Sequence, residues 1–373
     1  MKNTGNQPPT TRRIVLEVRG VVQGVGFRPF VFGLARRLGL GGSVRNEADV
    51  VRIELQGPHS AVDDFLRLLP SEAPAQSRID SVEIIEQECH EQCASVFEIH
   101  ASVDQSAPRP TIPADLATCG ECLVEIRDSH QRRYRYAFTN CTHCGPRWSI
   151  IRGLPYDRPR TSMESFEMCA ACRGEYENPA DRRFHAQPVA CPACGPKLRL
   201  LEPDGRPIAE KDAAMQVAVE MVLAGRIVAI KGLGGFQLVV DATNQAAVER
   251  LRARKHRPDK PLALMVSSID AAKECCTISE EEQRLLESAA APIVLLQRRD
   301  GEDKIAQGVA PGNPYLGLML PYTPLHHLLM AAVDRPVVCT SGNFSEEPMA
   351  TTTAEAMARL GTIADALLVH NRE

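Results

Sequence analysis

Cys141-Thr142-His143-Cys144-Gly145-Pro146 returns fifty residues later as Cys191-Pro192-Ala193-Cys194-Gly195-Pro196, and each copy follows another Cys-x-x-Cys pair, Cys119/Cys122 and Cys169/Cys172. The gaps between the four pairs hold 18, 24 and 18 residues, and the same shift lays Tyr134 on Phe184. A Cys-x-x-Cys pair can close on one tetrahedral metal ion, and a second pair completes its shell. Two copies of one supersecondary unit, each with four thiolates, predict two zinc modules in series. One Zn2+ is expected on Cys119, Cys122, Cys141 and Cys144, and the other on Cys169, Cys172, Cys191 and Cys194. An interleaved arrangement, first pair with last, is the open alternative. Disulfides or a redox dithiol fit less well, because a redox centre needs a single pair and no apolar secretory segment is visible. The Gly-Pro after each second pair marks a tight turn that releases amides toward sulfur.

Composition narrows the class. The 373 residues leave room for two or three domains, and 44% apolar with 24% charged residues is ordinary soluble composition. A net charge of −4 argues against a general nucleic-acid or membrane binder. No run approaches the ~18 apolar residues of a membrane span. Residues 1–11 are polar, carry Pro8-Pro9 and read as a flexible tail. The expectation is a cytoplasmic, zinc-containing, multi-domain protein.

Working outward from the cysteines, residues 12–102 show strand alternation at Ile14, Leu16 and Val18 and again at Val51, Ile53 and Leu55. Val31, Leu34, Ala35 and Leu38 recur at helical spacing between Pro29 and Gly39; Val62, Phe65, Leu66 and Leu69 make a second helix ended by Pro70. With strands near 82–86 and 96–100 the order becomes βαββαβ, a ferredoxin-like sandwich. A linker with Pro108, Pro110 and Pro113 leads into the zinc region, 108–200, which is rich in Arg and poor in apolar periodicity; metals are expected to replace a hydrophobic core there. Residues 203–373 read as an α/β block, with helices over 212–224 and 246–254 and apolar strands at 227–230, 262–266, 293–296 and 337–339. The fold class is therefore α+β and multi-domain.

Gln23-Gly24-Val25-Gly26-Phe27-Arg28-Pro29 joins the first strand to the first helix. Two glycines can turn backbone N–H groups inward as a nest, and the helix N-terminus adds partial positive charge. Arg28 stands where its fork can grip two phosphate oxygens. Asn46, read as the start of the next strand, is placed to orient a water. A plain glycine turn with a solvated Arg28 is the bland alternative for Gly-x-Gly alone. The whole string closely resembles the signature of the acylphosphatase family, which implies phosphate binding by Gln23 to Phe27 and catalytic roles for Arg28 and Asn46. One departure stands out: the asparagine segment continues here as Asp49-Val50 rather than Asp-Gly.

In the third block, Arg252-Ala-Arg254-Lys255-His-Arg257-Pro-Asp-Lys260 is a basic cluster, and Thr340-Ser341-Gly342-Asn343 follows a buried strand. A solvated basic face is the bland reading; a polyphosphate site at a strand end is the specific one. Lys-x-Arg with Ser-x-Asn resembles the YrdC family, which implies nucleotide binding at Lys255, Arg257, Lys260, Ser341 and Asn343. Lys231-Gly232-Leu233-Gly234-Gly235-Phe236 stands where that family has a threonine-rich pocket strand, suggesting a different acceptor. Pro321 to His327 is expected to wall the same pocket, with no chemistry assigned to His326 or His327.

The three parts in this order resemble one family, the hydrogenase-maturation carbamoyltransferases HypF, across residues 12–373. The resemblance implies a relay: carbamoyl phosphate is split at the first domain, carbamate meets ATP (with Mg2+) in the YrdC-like domain to give carbamoyl adenylate, and the carbamoyl group passes to the C-terminal cysteine of the partner HypE. Family members continue into a large C-terminal domain. This chain therefore reads as an N-terminal fragment or short form, with its YrdC-like block incomplete and no unaided loading of HypE. Two other classes compete: a YrdC-type RNA-binding or tRNA-modification protein, and a non-catalytic zinc scaffold.

Overall fold

A computed structural model describes residues 11–47, 50–90, 96–102, 113–299, 301 and 304–373. Residues 1–10 of the expected tail 1–11, Asp49, and Pro108 and Pro110 of the linker lie outside the described residues; Thr11, the last residue of that tail, instead opens the first strand and is buried. The chain divides into two compact units: Met1–Ala114 with Asn140–His143 and Ile150–Val189, and Asp115–Thr139 with Cys144–Ser149 and Ala190–Glu373.

The first unit is built on β1 (Thr11–Val21), α1 (Phe27–Arg37), β2 (Gly41–Glu47), β3 (Val50–Pro58), α2 (His59–Ser71), β4 (Arg78–His90) and β5 (Phe97–Ile99). The sheet order is β4-β1-β3-β2-β5. Its four long strands follow the expected βαββαβ order, and β5 adds a short fifth strand parallel to β2. Register follows the pleat: Ile14, Leu16 and Val18 lie opposite Leu55, Ile53 and Val51, and all six are fully buried with Val31, Val62 and Phe65 of the two helices. Side chains such as Arg13 take the other face, where it pairs with Glu54 at 2.7 Å. Pro70 falls inside the last turn of α2 rather than stopping it.

The finger repeat is visible in the backbone. Helices α3 (Gly120–Arg127) and α4 (Ala170–Glu177) have the same length, and each is entered from an extended cysteine, Cys119 or Cys169. Arg135 and His185, fifty positions apart, both adopt φ of 55°.

The second unit centres on one ten-stranded sheet, β11-β12-β13-β10-β14-β9-β8-β15-β6-β7. In chain order these strands are β6 (Leu198–Leu201), β7 (Pro207–Glu210), β8 (Val228–Lys231), β9 (Phe236–Asp241), β10 (Leu264–Met265), β11 (Cys276–Thr277), β12 (Val294–Arg298), β13 (Tyr315–Met319), β14 (Val337–Ser341) and β15 (Ala366–His370). Among the described residues of this sheet, β10 with β13 and β8 with β15 pair in parallel and the other pairings are antiparallel. Helices α5 (Lys211–Leu223) and α6 (Gln245–Lys255) fall where periodicity predicts them. Sequence periodicity did not reveal β6, β7, β9, β11, β13 and β15; of these, β9, β13 and β15 are short apolar runs indistinguishable by period from buried helix. Truncating a centre strand tests the packing: Leu16→Ala, at a fully buried position, is expected to lower the stability of the first unit by about 3 kcal/mol, read as lost hydrogen-exchange protection across β1 and β3.

Candidate phosphate and nucleotide sites

In the first unit the turn between β1 and α1 is fastened at every second residue. Val25 and Phe27 are buried in the core. The buried Gln23 donates to the Val50 carbonyl at 3.3 Å and accepts from the Tyr156 amide at 3.3 Å. Between these anchors Gly24 and Gly26 take φ of 70° and 78°, left-handed conformations that favour glycine. At Gly24 a Cβ would also meet the Tyr156 ring at 3.1 Å. Gly26 caps α1 with no side-chain partner, so the helix's first amides stay available to an anion.

Arg28 leaves this turn buried, its side chain 9% exposed. Nη2 donates to Asp157 Oδ1 at 2.7 Å and Nη1 to Ser102 Oγ at 3.3 Å, while the Ser102 hydroxyl donates to the other Asp157 oxygen. Neither Ser102 nor Asp157 was legible in the sequence, since Asp157 lies 129 positions from Arg28. Asn46 is fully buried, and among the described residues neither its amide nitrogen nor its oxygen has a hydrogen-bond partner. A buried amide so placed costs about 1–3 kcal/mol per unpaired group, unless a polar ligand or water completes it. Asn46 sits near the end of β2 rather than at the start of a strand, opposite Val51, whose other neighbour is Val18. Gly41-Gly42 at the start of β2 hid that strand from the alternation test.

Two titratable side chains respond to Arg28. Burial and then the Arg28 charge push His185 down to about 4, with Asp157 opposing. Burial raises the Tyr176 phenol, against hydrogen bonding from Gln187 and the Arg28 charge. Both are neutral near pH 7, so the Arg28 surroundings carry one counter-charge from this group, that of Asp157.

The eight cysteines of the four pairs gather as expected. The thiols of Cys119, Cys122, Cys141 and Cys144 lie within 4.8 Å of one another, and so do those of Cys169, Cys172, Cys191 and Cys194. This is the sequential pairing. Cys122 and Cys144 stand 3.6 Å apart and Cys191 and Cys194 3.7 Å, against about 3.8 Å for two sulfurs sharing one tetrahedral ion. The donor set thus fits two structural metal ions. In the first unit Arg158 donates to the carbonyls of Gln187, Val189 and Phe166. In the second, buried Arg147 donates to those of Cys144 and Pro146.

In the second unit the structure brings Lys255, Ser341 and Asn343 together. Lys255 is fully buried at the end of α6. Its Nζ donates to the Ser341 carbonyl, the Asn343 carbonyl and Asn343 Oδ1 at 2.6, 2.6 and 2.7 Å. An ammonium has three donors, so Lys255 braces the turn after β14. Burial, then the Arg257 charge, lowers it to about 8. Arg257 and Lys260 stay apart from this knot, Arg257 on the Lys260 and Pro261 carbonyls and Lys260 beside Glu346. A cavity of about 30 Å³ is lined by Lys231, Gly232, Leu233, Tyr322, Thr323 and Pro324, so the two strings expected to share a pocket do so. Next to it, Gln237 donates to the Tyr322 hydroxyl at 2.7 Å and meets His326 Nε2 at 2.9 Å. Gln237 was not singled out by sequence. His326 is pushed down to about 3 by burial, with His327 adding to it, and stays neutral.

A phosphate-loop sheet, paired four-thiol fingers and a mixed sheet with a braced lysine define a multi-domain α+β protein of composite type. The acylphosphatase family matches residues 14–99, the HypF finger matches 118–151 and 168–201, and the Sua5/YciO/YrdC family described as telomere recombination matches 220–373. The chain is 50% identical to a carbamoyltransferase HypF of Rhodobacter capsulatus over 96% of its own length and 46% of that protein. A carbamoyltransferase HypF of Synechocystis is 46% identical over 97% of this chain and 46% of its own. A crystal structure of full-length HypF in the phosphate- and nucleotide-bound form superposes with a TM-score of 0.93 at 42% identity, covering 99% of this chain and 48% of that one. Over the length they share, the chain belongs to the HypF family. It spans about half the length of the curated relatives it matches.

The thiol grouping sets a metal test. Cys122→Ser with Cys144→Ser should remove one metal equivalent by elemental analysis and leave the other; interleaved pairing would lose both. His185 sets a pH test. Its folded pKa of about 4 lies below the ordinary 6.5, so the unfolded chain binds the extra proton between those values, and stability falls as pH drops from 6.5 toward 4. The loss is expected to reach about 3 kcal/mol, and His185→Gln should flatten the pH dependence of unfolding.

Proposed function

We propose that this chain works as the carbamoyl-phosphate-splitting and carbamoyl-adenylate-forming part of a HypF-type carbamoyltransferase. The observation that carries the reading is the pairing, in one small unit, of a phosphate-type glycine turn and Arg28 with a fully buried Asn46 whose amide lacks partners. The turn amides and Arg28 hold the phosphoryl group and stabilise charge that develops on it. Asn46 orients a water, whose oxygen attacks phosphorus as the bridging P–O bond breaks, giving phosphate and carbamate.

Carbamate decomposes in water, so the product suits onward use within the same protein. In the second unit a carbamate oxygen attacks the α-phosphorus of ATP, and pyrophosphate leaves with Mg2+. Lys255 supplies charge at the base of the turn carrying Ser341 and Asn343, while Arg257 and Lys260 meet the outer phosphates. The cavity beside Lys231 is the acceptor pocket. The carbamoyl group of the adenylate then passes to the C-terminal cysteine of HypE, with AMP as the leaving group. The two metal ions are Zn2+, each with a closed four-thiolate shell and a structural role only. In this reading the functional blocks are 12–102, 108–200 and 203–373.

Phosphate and pyrophosphate release from carbamoyl phosphate plus ATP tests both sites. Arg28→Ala should lower both products by about 100-fold or more, and Lys255→Ala should abolish pyrophosphate while leaving phosphate release within about twofold, since Lys255 belongs to the other compact unit and shares no hydrogen-bond partner with Arg28. Wild-type phosphate release by Arg28→Ala would overturn the reading.

A further inference from the structure

Arg28 needs a partner that aims it. An arginine side chain has many rotamers, and gripping a small anion requires a fixed plane for its fork. Asp157 and Ser102 provide that plane. Of the five guanidinium N–H donors, one on Nη2 meets Asp157 at 2.7 Å and one on Nη1 meets Ser102 at 3.3 Å, which leaves the others for phosphate oxygens. The Ser102 hydroxyl closes the triangle on the second Asp157 oxygen.

Asp157 is itself clamped on both sides. Before it, the Tyr156 amide donates to Gln23 of the phosphate loop. After it, the Arg158 amide donates to Gln187 Oε1 at 2.8 Å, and the Arg158 guanidinium is buried on three carbonyls. Its own carbonyl accepts from the Arg160 amide at 2.8 Å. With His185 and Tyr176 neutral, the Asp157 carboxylate balances the charge of the buried Arg28.

We infer that Asp157, with Ser102, is the positioning residue for Arg28, so that the phosphate site of the ferredoxin-like sheet is completed by the segment leading into the second finger. A carboxylate on the far edge of the fork holds Arg28 aimed at the loop before any anion arrives. The opposite role, a carboxylate competing with phosphate for Arg28, predicts the reverse response.

The inference rests on Arg28 as the phosphate-gripping residue, and a double-mutant cycle on the 373-residue chain separates the two claims. Asp157→Asn, almost isosteric, should lower kcat/KM for carbamoyl phosphate about tenfold or more, chiefly through KM, and weaken inhibition by inorganic phosphate in parallel. Asp157→Glu should recover part of the loss. In an Arg28→Ala background, Asp157→Asn should change the residual rate less than about twofold, because its effect passes through Arg28. Ser102→Ala, a milder change should Asp157→Asn not fold, is expected to lose about threefold alone and nothing further with Arg28→Ala. Tighter phosphate binding in Asp157→Asn, or independent losses in the two backgrounds, would overturn the inference. An Arg28→Ala protein with wild-type hydrolysis would instead remove the functional reading beneath it.

Discussion

Buried guanidinium groups on backbone carbonyls are the constraint on which the cysteine-rich stretch depends. This stretch is poor in apolar periodicity and buries scattered side chains such as Ile126, Tyr156, Met163 and Val189 rather than one regular face, and its irregular backbone must still satisfy its polar groups. Arginines do this where a helix or sheet would otherwise do it. Arg158 gathers three carbonyls and Arg147 two, while Arg133, 1% exposed, reaches the Ala190 carbonyl at 2.7 Å and pairs with Glu125. The forks of Arg158 and Arg133 tie together segments distant in sequence, that of Arg147 closes on its own turn, and the thiol groups add two more knots. The arginine richness of the region is thus a structural device as much as a charge.

Two buried cations are held alike. Arg28 is hydrogen-bonded to Asp157 and Ser102, and Lys255 is fastened to the Ser341–Asn343 turn. In both, a flexible side chain is ordered by the protein's own oxygens, so the entropy of fixing it is met in folding rather than at binding. The consequences differ. Arg28 uses two of its five donors in these contacts, whereas Lys255 has all three engaged and shapes the turn.

Much of this was open to reading in the chain. The alternation of Ile14, Leu16 and Val18 and the helical spacing of Val31 and Leu34 fixed the small sheet, because one buried face forces one register. The fifty-residue repeat carried through to matched helices and matched left-handed residues. Lys255 with Ser341 and Asn343, joined in the sequence only by family resemblance, proved to be direct partners. Asn46 was recognised but misplaced along its strand, since two glycines conceal where β2 begins. The short strands β9, β13 and β15 were missed because a fully buried run has no polar alternation to betray its period.

What the sequence determined by itself is the set of local chemistries: a glycine turn with an arginine, paired thiols at chelating spacing, and a basic cluster beside a strand end. Each depends on residues close together in the chain, so spacing alone reveals it. Tertiary structure decided which distant groups complete them. Asp157 reaches Arg28 across 129 positions, Gln237 reaches both Tyr322 and His326, and the four cysteine pairs divide sequentially. These pairings follow from where the packed backbone brings side chains and from the cost of leaving a buried charge without a partner, neither of which is written in any local pattern.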